Sequence, residues 1–175
     1  AGKEEILNRR VGENELSTVQ TLLAIVDAQR EYAMEPRDTD GVRKYAEKFG
    51  SDPGKKNGLY WATPVGEAPS PLGELVADAR AEGYRKGQNQ QPVPYHGYYF
   101  RILKKQGKNA PGGAYDYVVK NKMIGGFAVV AYPAVYGSSG VMTFIVNHAG
   151  VVYQRDLGRD TARTAKAMTA FDTDK

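Results

Sequence analysis

Between residues 13 and 34 the chain repeats apolar residues at helical spacing: Leu16, Val19, Leu22, Leu23, Ile25 and Val26. Glu15, Gln20, Asp27 and Arg30 lie away from the centre of that stripe, so the segment predicts an amphipathic helix. Asn14 is placed to cap its start, and Pro36 stops it soon after Tyr32. One wide apolar stripe cannot stay wet. The rest of the chain must supply a matching apolar face.

That face is predicted downstream. Apolar and aromatic runs punctuated by glycine occupy Tyr98–Leu103, Tyr115–Val119, Met123–Tyr132, Val141–Asn147 and Val151–Gln154. Tyr115, Tyr117 and Val119 alternate with Asp116, Val118 and Lys120, which predicts a strand burying one face. Phe144–Asn147 and Val151–Tyr153, joined through His148-Ala149-Gly150, read as a hairpin. Twenty glycines and twelve tyrosines suit turns and half-buried strand surfaces. Short helices are expected over Val42–Phe49, over about Leu72–Glu82 with Gly83 ending it, and over Thr161–Phe171. A loop covers 50–70, and a polar, proline-rich connector covers 84–97. Helices followed by consecutive strands, with no βαβ alternation, predict an α+β fold: an N-terminal long helix and short helices on an antiparallel meander. The 175 residues fit one domain, mainly helix and loop over 1–97, sheet over 98–157, and a helix and tail over 158–175.

With no cysteine in the chain, disulfides and thiolate chemistry are excluded, whereas the compartment is left open. A net charge of +4, from 24 basic and 20 acidic residues, is too mild to mark a nucleic-acid binder by itself. No apolar run approaches the ~20 residues that span a bilayer. The start, Ala-Gly-Lys-Glu-Glu-Ile, reads as processed or trimmed.

Asn14-Glu15-Leu16-Ser17-Thr18-Val19 with Leu22, Ile25, Ala28-Gln29 and Tyr32-Ala33 resembles the soluble half of the long helix in type IV pilin-like and pseudopilin proteins. The runs at Gly97–Arg101, Gly126–Pro133 and Phe144–Tyr153 resemble the strands that pack on it. The resemblance implies a pilin-like helix on an antiparallel sheet. Lys3, Glu4, Glu5, Arg9 and Arg10 stand where pilins carry an apolar membrane segment, so pilus-style polymerisation through this helix is not expected. Nearly the whole chain also resembles the C-terminal part of a bacterial family called domain of unknown function 2950. Gly2–Ile6, Pro94–Leu103 and Gly140–Asn147 carry that likeness. It implies a periplasmic or extracellular address, an upstream region outside this chain, and no known activity.

Asp38-Thr39-Asp40-Gly41 is similar to part of a calcium loop, with Asp38, Asp40, Gly41 and Glu47 at positions three, five, six and twelve. Position one would be Pro36, which offers only a carbonyl. The competing reading is that Asp38 or Asp40 caps a helix starting near Val42. His96 and His148, the only histidines, both sit beside glycine in turn-like positions and show no metal or triad spacing. Arg101, Lys104, Lys105, Lys108, Lys120 and Lys122 interleave with Tyr98, Tyr99, Phe100, Tyr115 and Tyr117. Such a pattern binds single strands or acidic glycans when open, and otherwise marks a core with a solvated edge.

No catalytic residues are assigned, and no cofactor is expected beyond the calcium reading. The expected function is a non-catalytic extracytoplasmic structural or interaction module of the bacterial envelope. Its partner would be itself, another envelope protein or a surface polymer, with nucleic acid not expected. The alternative is an envelope hydrolase of glycan or peptide bonds using both histidines.

Overall fold

The computed structural model describes residues 2–81 and 92–173. Helix α1 runs from Lys3 to Tyr32, and α2 from Gly73 to Ala81. The strands are β1 (Tyr98–Leu103), β2 (Lys105–Gln106), β3 (Tyr115–Asp116), β4 (Val118–Val119), β5 (Lys122–Met123), β6 (Ala128–Pro133), β7 (Met142–Asn147) and β8 (Val152–Asp156). A 3-10 turn at Gly158–Asp160 leads into α3, Thr161–Ala167. Strands β1, β6, β7 and β8 form one antiparallel sheet in the order β1-β6-β7-β8, while β2–β3 and β4–β5 are small ribbons on the excursion between β1 and β6. The predicted α+β class is the observed one.

Strand pairing sorts the sheet into two faces. Tyr98, Ala131 and Phe144 belong to one, where Tyr98 donates to the Met142 carbonyl at 2.7 Å and feels the carboxylate of Glu15 from α1. Arg101, Val130 and Ile145 share the other with Tyr153, whose ring meets Phe171 edge-on. There the Arg101 guanidinium donates to the carbonyls of Ala165 and Met168, closing the C-terminal end of α3 with a cation. Thus α1 covers one face, and α3 with the following tail covers the other. All six residues of β6 are buried, which explains why Ala128–Pro133 shows an unbroken apolar run and no alternation.

Helix α1 begins ten residues before its predicted start. Lys3 to Arg10 are good helix formers apart from Asn8; Glu4 and Glu5 sit in the first turn, where the helix dipole favours them, and Arg9 pairs with Glu5 at 3.7 Å. Asn14 is therefore not a cap. It lies inside the helix, and its amide donates to the Ser139 carbonyl at 2.9 Å. The buried stripe is also turned from the predicted one, with Thr18, Thr21, Ala28 and Gln29 inside. Leu16 and Leu23 point outward, 61% and 42% exposed. At the far end Arg37 donates to the Tyr32 and Glu31 carbonyls and terminates the helix.

The helix predicted over Val42–Phe49 is absent. This segment is an extended strap, because its backbone finds partners on several sides. Tyr45 N–H donates to the Met123 carbonyl at 2.8 Å, and the Lys48 and Phe49 carbonyls accept from Leu59 and Tyr60. At Ala46 the buried Gln29 side chain behaves like a neighbouring strand. Its amide donates to the Ala46 carbonyl and its oxygen accepts the Ala46 N–H, both at 2.8 Å.

Elsewhere the differences are smaller. Helix α2 matches the expected segment as far as Ala81; Glu82, Gly83 and connector residues 84–91 lie outside the described residues. Tyr115–Val119 does not bury one face. Tyr117 is fully buried, yet Tyr115 and Val119 are exposed, since the run is split between two ribbons. The β7–β8 hairpin forms as predicted, with Gly150 in the left-handed region at φ 78°. Helix α3 ends at Ala167, four residues short of Phe171, because Met168 is extended and Phe171 instead exchanges hydrogen bonds with Lys105 and Gly107.

Gln29 is the test of the strap. Gln29→Leu keeps the volume but orphans two buried backbone groups of Ala46. It is expected to lower unfolding free energy by about 3 kcal/mol in urea titrations.

Candidate functional site

A recess of about 310 Å3 opens where the strap passes the C-terminal end of α1. Its walls are Tyr32 of α1, Lys44, Tyr45, Glu47 and Lys48 of the strap, Asn57 of the following loop, and Lys104 between β1 and β2. Most of these groups are held in place by contacts of their own. Tyr32 donates its hydroxyl to the Lys56 carbonyl at 3.1 Å, and burial raises its pKa. The Tyr45 ring meets Phe127 edge-on at 4.9 Å. Asn57 accepts the Asp52 N–H and donates to the Asp52 carboxylate.

The lysines are braced by carboxylates. Lys44 is bound to Asp38, Lys48 to Asp52 at 2.6 Å, and Lys104 to Glu47 at 3.0 Å. The Asp38 contact raises the pKa of Lys44 above the ordinary lysine value, so this ammonium stays charged. The Lys48 ammonium and the Asn57 amide lower the pKa of Asp52. Beside the recess, Arg37 lies over the rings of Tyr32 and Trp61, and Lys56 lies over Trp61.

Strap and pairing together bear on the calcium reading. Asp38 engages Lys44, Asp40 engages Lys122 at 2.8 Å, and Glu47 engages Lys104. Three separate lysines thus hold the three predicted ligands. Among the described residues no group of three or more His, Asp or Glu is placed to share a metal ion. Asp40 accepts the Val42 N–H at 2.9 Å, which makes a local turn and not a helix cap, because no helix follows. That contact and Lys122 lower the pKa of Asp40.

The histidines stand at opposite ends of the sheet. His96 lies two residues before Tyr98, which pairs with Pro133 at one end of β6. His148 follows Asn147, which pairs with Ala128 at the other end. The six residues of β6 separate them by roughly 17 Å of strand. One catalytic centre cannot use both. His96 adopts φ 48° and packs edge-on against Tyr95. His148 is enclosed by the rings of Tyr117 and Phe127, with its Nε2 3.5 Å from the Tyr115 hydroxyl. Gly126 is required beside it, since a Cβ there would collide with the imidazole, and its φ of 151° suits glycine alone.

Much of the predicted basic and aromatic strip is engaged in the fold. Arg101 serves α3, while Lys104 and Lys122 hold strap carboxylates; Tyr98 and Tyr117 are buried. Burial pushes the Tyr117 phenol up to about 12, and its hydroxyl donates to the buried Gln106 side chain at 2.8 Å. Lys44, Tyr45, Lys48 and Asn57 were not singled out in the sequence. Their signal was the spacing of Lys44 and Lys48 around Tyr45, which a helical reading sends to a solvated face.

A family model described as "Protein of unknown function (DUF2950)" matches residues 1–175. The chain belongs to the DUF2950 family. No curated protein and no solved structure matches it. The pilin-like resemblance is thus not shown for this DUF2950 chain, whose architecture is a long helix on an antiparallel sheet. No helix among the described residues is long and apolar enough to cross a membrane.

His148 makes stability depend on pH. Burial, reinforced by the nearby Arg30 and only partly offset by the Phe127 backbone, lowers its pKa. The unfolded chain takes up a proton near the ordinary value of about 6.5, whereas the folded chain takes it up only at lower pH. Stability is expected to fall as pH drops through that value. Urea midpoints measured from about pH 8 to pH 5 should show a shallower decline for His148→Phe than for the parent chain.

Proposed function

We propose that this DUF2950 chain is a non-catalytic interaction module of the bacterial cell envelope that pairs with a second copy through the first turns of α1. The observation that carries this reading is the position of residues 2–13. None of them is buried, and the first tertiary hydrogen bonds of the helix come from Arg10 and Asn14 to the loop at Ser138-Ser139. About 15 Å of helix therefore runs beyond the sheet. It carries Leu7 and Val11 half-buried and Ile6 71% exposed. A helical stretch of this length gains stability from packing.

Its charges favour an identical partner. Acidic Glu4 and Glu5 precede Ile6 and Leu7, and basic Arg9 and Arg10 follow. Two antiparallel copies crossing at Leu7 bring Glu4 opposite Arg10 and Glu5 opposite Arg9, with apolar side chains between. That is a closed, two-fold contact, not a filament. The envelope address rests on the family resemblance, and fractionation of a producing bacterium with an antibody to the chain checks it.

A contact this small belongs to the weak class, so sedimentation should be followed from about 10 µM to 1 mM. The parent chain is expected to dimerise in that range. Glu5→Arg should abolish the dimer, and Glu5→Arg combined with Arg9→Glu should restore it. A parent chain that stays monomeric throughout, or a double variant no better than the single one, would sink the pairing.

A further inference from the structure

We propose that the recess walled by Lys44, Lys48 and Lys104 binds the carboxylate-bearing sugar units of an acidic polysaccharide. Three of the lining side chains are ammonium groups and one, Glu47, is a carboxylate, while Asp38 and Asp52 brace Lys44 and Lys48 from outside the lining and bring the cluster to charge balance. Each ammonium has three N–H donors, and the carboxylate bracing it need occupy only one, so donors remain for a ligand. Lys48 and Lys104 keep 41% and 53% of their side chains exposed. The remaining walls are two tyrosines and an amide, surfaces that suit a ring bearing hydroxyls. At about 310 Å3 the recess falls at the lower end of ligand pockets.

Preorganisation strengthens the case. Asp52 fixes both Lys48 and Asn57, Phe127 fixes Tyr45, and the Lys56 carbonyl fixes the Tyr32 hydroxyl. Little side-chain freedom is left to lose on binding. Lysines supply point charges without the planar fork that arginine offers a phosphate, and the bracing carboxylates leave no net excess to hold a dianion. A single carboxylate per sugar, ringed by hydroxyls, matches this lining better than a dianionic phosphate. The site is separate from the projecting turns of α1 and needs no second copy.

Isothermal titration of the full chain tests it with four probes: oligogalacturonate, monomeric galacturonate, glucose 6-phosphate and neutral maltooligosaccharide. Oligogalacturonate is expected to bind best, more weakly as salt rises. Monomeric galacturonate should bind the same residues more weakly, and the neutral oligomer at least tenfold more weakly than oligogalacturonate. Lys48→Gln and Lys104→Gln should each weaken oligogalacturonate binding at least tenfold, with Lys120→Gln unchanged. Thermal melts establish that each variant is folded, and either of the first two suffices. The Glu5→Arg chain should bind as the parent does, which separates this site from the dimer. Preference for the phosphate, equal affinity for the neutral oligomer, no binding at all, or binding indifferent to both lysines would overturn the proposal.

Discussion

The inner strand β6 needs cover on both sides, and the layers follow from that need. Six buried residues in succession leave no edge of the strand that water can reach through side chains. Helix α1 supplies one cover and α3 with the tail to Phe171 the other. Because α3 is only seven residues long, it cannot hold its place by its own helicity. Arg101 fastens it by donating to the Ala165 and Met168 carbonyls at its C-terminal end, so a charged residue on β1 secures an apolar layer.

Two buried amides organise what lies outside the sheet. Gln29 offers Ala46 a donor and an acceptor, as an adjacent strand would. Gln106 donates to the Pro111 and Gly113 carbonyls and accepts from Tyr117, which gathers the loop after β2. Gln29 thereby satisfies backbone groups of Ala46 that would otherwise be buried without partners. The strap held by Gln29 then carries Lys44, Tyr45, Glu47 and Lys48 to the rim of α1, and the recess arises there. Position of the site depends on a glutamine that does not line it.

Charge pairing explains why a mildly basic chain does not present an open basic strip. Asp38, Asp40, Glu47 and Asp52, all on or beside the strap, engage Lys44, Lys122, Lys104 and Lys48. Pairs at a surface contribute little stability each. Their effect here is geometric, holding three ammoniums around one concavity while leaving part of two side chains in contact with solvent.

Periodicity alone determined that a long helix would meet antiparallel strands, because apolar side chains at spacings of 3.6 and 2 report which faces must leave water. It also determined the β7–β8 hairpin, since glycine at a left-handed turn is a local requirement. Tertiary structure decided the rest. Whether Val42–Phe49 coils or extends turned on Gln29, Met123 and Leu59, residues remote in sequence that offer its backbone better partners than a helix would. The start of α1 was hidden for the opposite reason: its first turns obey helix propensity and charge spacing without an apolar signature. The recess had no signature either, because its residues come from four segments and a concavity exists only after the chain has closed around it.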